Sequence, residues 1–147
     1  MTFVGRGLLA AEAAAAVTVA HLAVRVLRPA RLMRLVGDAG EPAGAPAAAV
    51  GDRGPARSVV RAVERVADLL PWQPRCLARA VAARAMLRRR GIPGELHLGV
   101  AGTAPLSAHA WLTVGGDVVQ GGPVHRFTPL TTLSQPGAGG AGRPADR

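Results

Sequence analysis

The sequence predicts an α+β domain in which N-terminal helices precede a small antiparallel sheet. Three observations carry this expectation. Apolar residues recur at helical spacing from the N-terminal region to about residue 90, and the period changes to two after Gly94. Gly115-Gly116 then supplies a tight hairpin turn between two alternating runs. At 147 residues the chain has room for one modest core and not for two full domains.

The first helical signal runs from about Leu8 to Leu35, bent at Pro29, whose ring removes a backbone donor. Residues 1–36 are therefore expected to be an N-terminal helical segment. Residues 37–57 are rich in Gly, Ala and Pro with little apolar bulk, and read as a flexible linker. Periodicity returns at Ser58, an N-cap candidate. Val59, Val60, Val63, Val66, Ala67 and Leu70 share one face, Arg61, Glu64, Arg65 and Asp68 lie opposite, and Pro71 is the stop.

The next helix is expected from Pro74, a residue suited to a first turn, to Arg90, where Gly91 and Pro93 end it. Leu77, Ala80, Val81, Ala85 and Leu87 supply its apolar surface, while Arg88, Arg89 and Arg90 complement the negative helix end. Leu96, Leu98 and Val100 alternate with Glu95, His97 and Gly99, the mark of a strand with one buried face. Leu106 to Val114 is a second strand, Asp117 to Gln120 returns after the turn, and Arg126 to Leu130 adds a short edge. The folded core is thus predicted over 58–133, with a Gly- and Pro-rich disordered tail over 134–147.

The net charge of +9 would ordinarily suggest an acidic partner. Here all 18 basic residues are arginine, and Ala, Gly and Pro are abundant, as GC-rich coding would favour. Aromatic content of 3%, with no tyrosine, leaves few rings on which bases could stack, which argues against nucleic-acid binding. Gly7 to Val26 is long and apolar, but Glu12, His21 and Arg25 interrupt it, so a core helix is favoured over a spanning one. A basic run after the apolar stretch, with only Arg6 before it, fits a secretory signal poorly. A cytoplasmic protein is expected. Contact of the first helix with a membrane surface, through Arg25, Arg28, Arg31 and Arg34, is a second option.

Cys76 is the single cysteine, so neither an internal disulfide nor a zinc cluster is available, and neither metal nor cofactor is expected. Inert core filler, an incidental thiol or a reactive thiolate remain. Its expected place in a helix first turn favours the last, because unpaired N–H groups and the positive dipole end stabilise a thiolate. Arg75 acts in the same sense. The backbone N–H of Cys76 is a natural oxyanion donor, and Gln73 is either a second donor or the helix N-cap. A thiol nucleophile needs an imidazole to take its proton. His21 falls in the first helix and His125 in a loop, while His97 and His109 are on strands. His109, sharing a face with Trp111 and Thr113, is the chosen partner.

Residues 72–93, WQPRCLARAVAARAMLRRRGIP, are followed by LHLGV at 96–100, AHAW at 108–111 and RFTPL at 126–130. This ordered series resembles the transglutaminase-like leader peptidase of lasso-peptide biosynthesis, over roughly Leu8 to Leu130. The resemblance implies a papain-like cysteine protease core that removes the leader from a ribosomally made precursor peptide. It implies Cys76 as nucleophile and His109 as general base. It also implies two partners besides the precursor: a small leader-binding protein and an ATP-dependent macrolactam cyclase.

The family's triad acid is expected about twelve residues past the histidine, where this chain has Gln120-Gly121-Gly122. Asp117 is the one nearby carboxylate and the acid candidate. With a two-residue turn, however, Val114 pairs with Asp117, Trp111 with Gln120 and His109 with Gly122, which leaves Asp117 near the turn. Gln120 could hold the imidazole through its amide instead. Two rivals stay open: acyl transfer to an amine through the same thioester, and a non-catalytic scaffold for a peptide or membrane.

Overall fold

A computed structural model of the chain describes residues 3–36, 38–40, 53–103 and 105–134. Four helices, α1 (Phe3–Val26), α2 (Pro29–Val36), α3 (Gly54–Leu69) and α4 (Cys76–Arg88), pack with one antiparallel sheet. Its strands are β1 (Asp38–Gly40), β2 (Glu95–Ala101), β3 (Ser107–Val114), β4 (Asp117–Gln120) and β5 (Thr128–Ser134), in the order β1-β5-β2-β3-β4. The fold is α+β, as the change of period predicts.

Alanine dominates the helical layer. Ala13, Val17 and Ala20 form the buried stripe of α1, and Ala78, Ala82, Ala83 and Met86 of α4 join the same core. Small side chains let helix axes approach closely, so apolar contact is made without bulk. Gly5–Val26 is long and apolar enough, by length and composition, to cross a membrane. In this fold it packs on α3 and α4. Glu12 fastens it there, accepting bonds from Arg90 at 2.5 and 3.1 Å and lying 3.4 Å from Arg89. The Arg90 hydrogen bond holds the Glu12 carboxyl below the usual carboxylate range, against partial desolvation.

Several element boundaries differ from expectation. Pro29 does not bend one long helix but opens a second, because its fixed φ suits a first turn. Asp38–Gly40, read as linker, pairs with β5. The third helix begins at Gly54 rather than Ser58, again with a proline in its first turn, and the Ser58 hydroxyl bonds back to the Gly54 carbonyl at 2.9 Å. Pro74 precedes α4 and Cys76 is its first residue. At the other end Gly91, at φ +67°, lets the Ile92 N–H return to the Leu87 carbonyl. Residues 37 and 41–52 of the expected linker lie outside the described residues, as do 135–147 of the expected tail, whose first residue, Ser134, instead ends β5.

β5 is not an edge strand. It runs between β1 and β2, and a row of fully buried leucines, Leu112-Leu96-Leu133, crosses three strands. On the alternate positions Trp111, His97 and Thr132 form the neighbouring row. Gly99 belongs to that side of the sheet for a steric reason: a Cβ there would come within 2.8 Å of the Trp111 ring and of the Thr128 carbonyl. His97 stacks on Trp111 at 5.4 Å and is held between Thr132 Oγ1 at 2.9 Å and Thr113 Oγ1 at 2.8 Å. Neutral imidazole suits two hydroxyls, donating to one and accepting from the other.

Burial lowers the His97 pKa below its ordinary 6.5, and Glu95 opposes only part of that. Between the folded value and 6.5 the unfolded chain binds the proton more readily, so stability is full above that window and is lost as pH falls through it. The unfolding midpoint is therefore expected to be lower at pH 5 than at pH 7 in calorimetry. His97→Gln should show a smaller difference between the two pH values.

Candidate active site

The start of α4 is organised by one side chain three residues into it. Arg79 Nε donates to the Pro74 carbonyl at 2.8 Å, and its Nη1 donates to Glu64 at 2.6 Å and Asp68 at 2.8 Å on α3. Burial works against the Arg79 charge, but the two carboxylates outweigh it and raise its pKa. The loop before α4 is thereby pinned to α3, and Cys76 follows as the first helical residue, half-buried. The N-cap, Arg75, has extended backbone and no side-chain capping bond. The N–H groups of the first turn therefore keep their capacity to bind a negative charge. Gln73 is neither the N-cap nor a wall of the cavity described below; it is exposed, at φ +41°.

His109 is placed by an irregularity in the sheet. Beyond the turn Val114 pairs with Asp117 and Thr113 with Val118, as regular register requires, but Leu112 then pairs with Gln120. The expected Trp111–Gln120 pairing is displaced by one residue because Val119 is bulged. The shift brings Gly121 to Trp111: a Cβ on Gly121 would come within 2.6 Å of the Trp111 Cβ and 2.9 Å of its Cα. Gly121, at φ +103°, turns its carbonyl to His109 Nε2 at 2.6 Å. A carbonyl only accepts, so Nε2 carries the hydrogen, and neutral His109 keeps its lone pair on Nδ1. The ring stacks on Phe127 at 4.8 Å and lies 6.3 Å from Trp111.

Cys76 and His109 line the same cavity, of about 980 Å³, with Val60, Glu64, Pro74, Arg79 and residues 118–125 completing its wall. Gln120 is 5% exposed and donates from Nε2 to Glu64 Oε1 at 2.9 Å, so its amide nitrogen is engaged away from His109. Asp117 is not brought to the cavity. It starts β4 beside the turn, and its carboxylate is paired with Arg53. The position facing His109 is held by the Gly121 main chain instead.

Sequence reading placed Glu64 on the polar face of its helix and His125 in a loop, yet both line the cavity, and so does Arg79. The spacing of Arg79 from Cys76, one helical turn, was the available signal for it. Gly121 carried no signal that pattern alone could use. Among the described residues no group of three His, Cys, Asp or Glu side chains is placed to hold a metal ion.

A family model described as the transglutaminase-like superfamily matches residues 14–132. No curated protein and no solved structure matches the chain significantly.

Two substitutions test this geometry. Arg79→Ala removes two partly buried hydrogen bonds, to Pro74 and Glu64, and one to the exposed Asp68, and is expected to destabilise the fold by about 1–3 kcal/mol in denaturant unfolding. Gly121→Ala should lower the unfolding midpoint and change the NMR shift of the His109 Nε2 proton, because the added methyl would collide with the Trp111 backbone.

Proposed function

Because the chain belongs to the transglutaminase-like superfamily, which includes cysteine peptidases and acyl transferases, we propose that it is a cysteine peptidase acting on a ribosomally made precursor peptide. The observation that carries this reading is the shared cavity: the thiol at an uncapped helix start and an imidazole oriented through Nε2 open onto one space. The ordered motifs from Trp72 to Leu130 favour the lasso class of precursor and cleavage of its leader. By the same resemblance it works with a leader-binding protein and beside an ATP-dependent macrolactam cyclase, and the poor fit of its N-terminal region to a secretory signal favours the cytoplasm.

In this reading His109 Nδ1 takes the Cys76 thiol proton as sulfur attacks the scissile carbonyl. The N–H groups of the α4 first turn receive the developing oxyanion, where the helix dipole adds to their hydrogen bonds. The imidazolium then returns the proton to the leaving amine, and a thioester remains on Cys76. Water, deprotonated by His109, hydrolyses the thioester and restores the thiol. Gly121 does for the imidazole what a triad acid does in orientation, holding the tautomer and ring plane, but it contributes no full charge. A turnover lower than that of a charged triad is the physical consequence.

Incubation of a lasso precursor with the protein and its leader-binding partner, followed by mass spectrometry, tests the proposal. A free carboxylate at the cleavage site is expected, and Cys76→Ala or His109→Asn should reduce the rate by about 10³-fold or more. Unchanged maturation in Cys76→Ala would favour the scaffold reading. Capture of an added amine in place of water would favour acyl transfer.

A further inference from the structure

We propose that α1 is a peripheral membrane anchor, its outer face lying in the headgroup region of an anionic bilayer with the arginines of α2 on the lipid phosphates. The inference stands apart from the peptidase reading, because no residue lining the Cys76 cavity takes part in it.

α1 is apolar nearly all round. Between Glu12 and Arg25 it carries no Arg, Lys, Asp or Glu. A helix of that kind is normally covered on every side, by protein or by lipid. Here Ala13, Val17 and Ala20 are buried in the core, yet only 17% of the most apolar stretch is buried. Leu8, Ala11, Ala15, Val19, Leu22 and Val26 follow one another at intervals of three and four residues, so they share one face. Leu8, Val19, Leu22 and Val26 are 68%, 66%, 54% and 78% exposed. The carboxylate beside this stripe, Glu12, is turned onto Arg90 and Arg89.

Cations border the stripe. Arg25, Arg28, Arg31 and Arg34 are exposed where α1 gives way to α2, and among the described residues none of them has an ion pair. Beside Ala15 and Val19 a groove of about 400 Å³ runs between α1, α2 and α4, and the exposed Arg88 stands on its wall. Trp72, 44% exposed, lies against His21 with ring centroids 6.3 Å apart, on the flank of α1 that Arg25 shares one turn later.

An apolar ridge bordered by arginines and an exposed indole is the surface of a helix that lies in the plane of a membrane interface. α1 does not span, because its buried stripe is committed to α3 and α4. A second copy laid on this face would bring the same arginines to the contact and add like charge. A nucleic acid would neutralise the arginines but leave the stripe in water. An anionic bilayer answers both, and apolar area together with a basic patch gives the adhesion that either alone lacks.

The test mixes the full chain with vesicles of equal parts phosphatidylglycerol and phosphatidylcholine, or of phosphatidylcholine alone, and floats them through a density gradient. Wild-type protein is expected to float with the anionic vesicles and to stay behind with the neutral ones. Arg28→Gln/Arg31→Gln/Arg34→Gln should lower the partition coefficient about 100-fold, or about fivefold per arginine. Val19→Ser/Leu22→Ser should lower it about tenfold or more. All five side chains are exposed, so both variants should keep the wild-type unfolding midpoint. Wild-type protein that floats with neither vesicle, or with both alike, would overturn the inference without any variant. Undiminished flotation of Val19→Ser/Leu22→Ser would overturn it as adsorption by charge alone. So would a dimer in analytical ultracentrifugation that the serine variant dissolves, with no flotation, because a second copy then covers the face.

Discussion

The guanidinium of Arg79 joins the parts from which the cavity is made. One nitrogen holds the carbonyl of Pro74, in the loop that delivers Cys76, and another bridges two carboxylates of α3. Through Glu64 the same network reaches Gln120 at the end of β4. Helix, loop and sheet edge are thus linked by charge-assisted hydrogen bonds, which are shorter and stronger than neutral ones and tolerate little misplacement. An alanine-rich helical core packs closely but carries few bulky side chains to define a unique register. A directional polar anchor supplies what such packing lacks.

The second constraint is the bulge in β4. A regular two-residue hairpin would have set Gln120 opposite Trp111, with its amide on the face of the imidazole. One additional residue in the strand moves Gln120 opposite the buried Leu112, toward Glu64 and the helices, and brings Gly121 to Trp111. Bulges re-aim side chains in this way because the side-chain period of a strand is two. Here the result is an imidazole oriented by a peptide carbonyl. That contact sets geometry and tautomer as a carboxylate would, while giving an imidazolium less electrostatic support. Phe127 and Trp111 enclose the ring on the sheet side.

Much of the fold was legible in the chain itself. The switch from helical to alternating periodicity at Gly94, the Gly115-Gly116 turn and the stop at Gly91 correspond to elements that form. The errors have local causes. Prolines at 29 and 55 read as breaks or linker residues, but each lies in the first turn of a helix, where a fixed φ helps and the missing N–H has no partner to lose. Asp38–Gly40 has no strand character of its own and becomes one through pairing with β5. Within the cavity, Cys76 and His109 could be nominated from residue type and position. Glu64 and Arg79 could not, because charged residues on a helix look alike whether they face solvent or each other.

What the amino-acid order determined by itself is therefore the inventory: one thiol, its place at the beginning of a helix, an imidazole on a strand, and a two-glycine turn between β3 and β4. These follow from local rules of spacing and backbone preference, which act over a few residues. Tertiary structure decided which groups meet. Arg79 reaches α3 across eleven and fifteen residues, Gln120 reaches Glu64 across fifty-six, and Asp117 is drawn to Arg53 across sixty-four. Such pairings depend on how helices dock on a sheet and on a one-residue shift within it. No local pattern encodes either, because both are settled by the packing of the whole core.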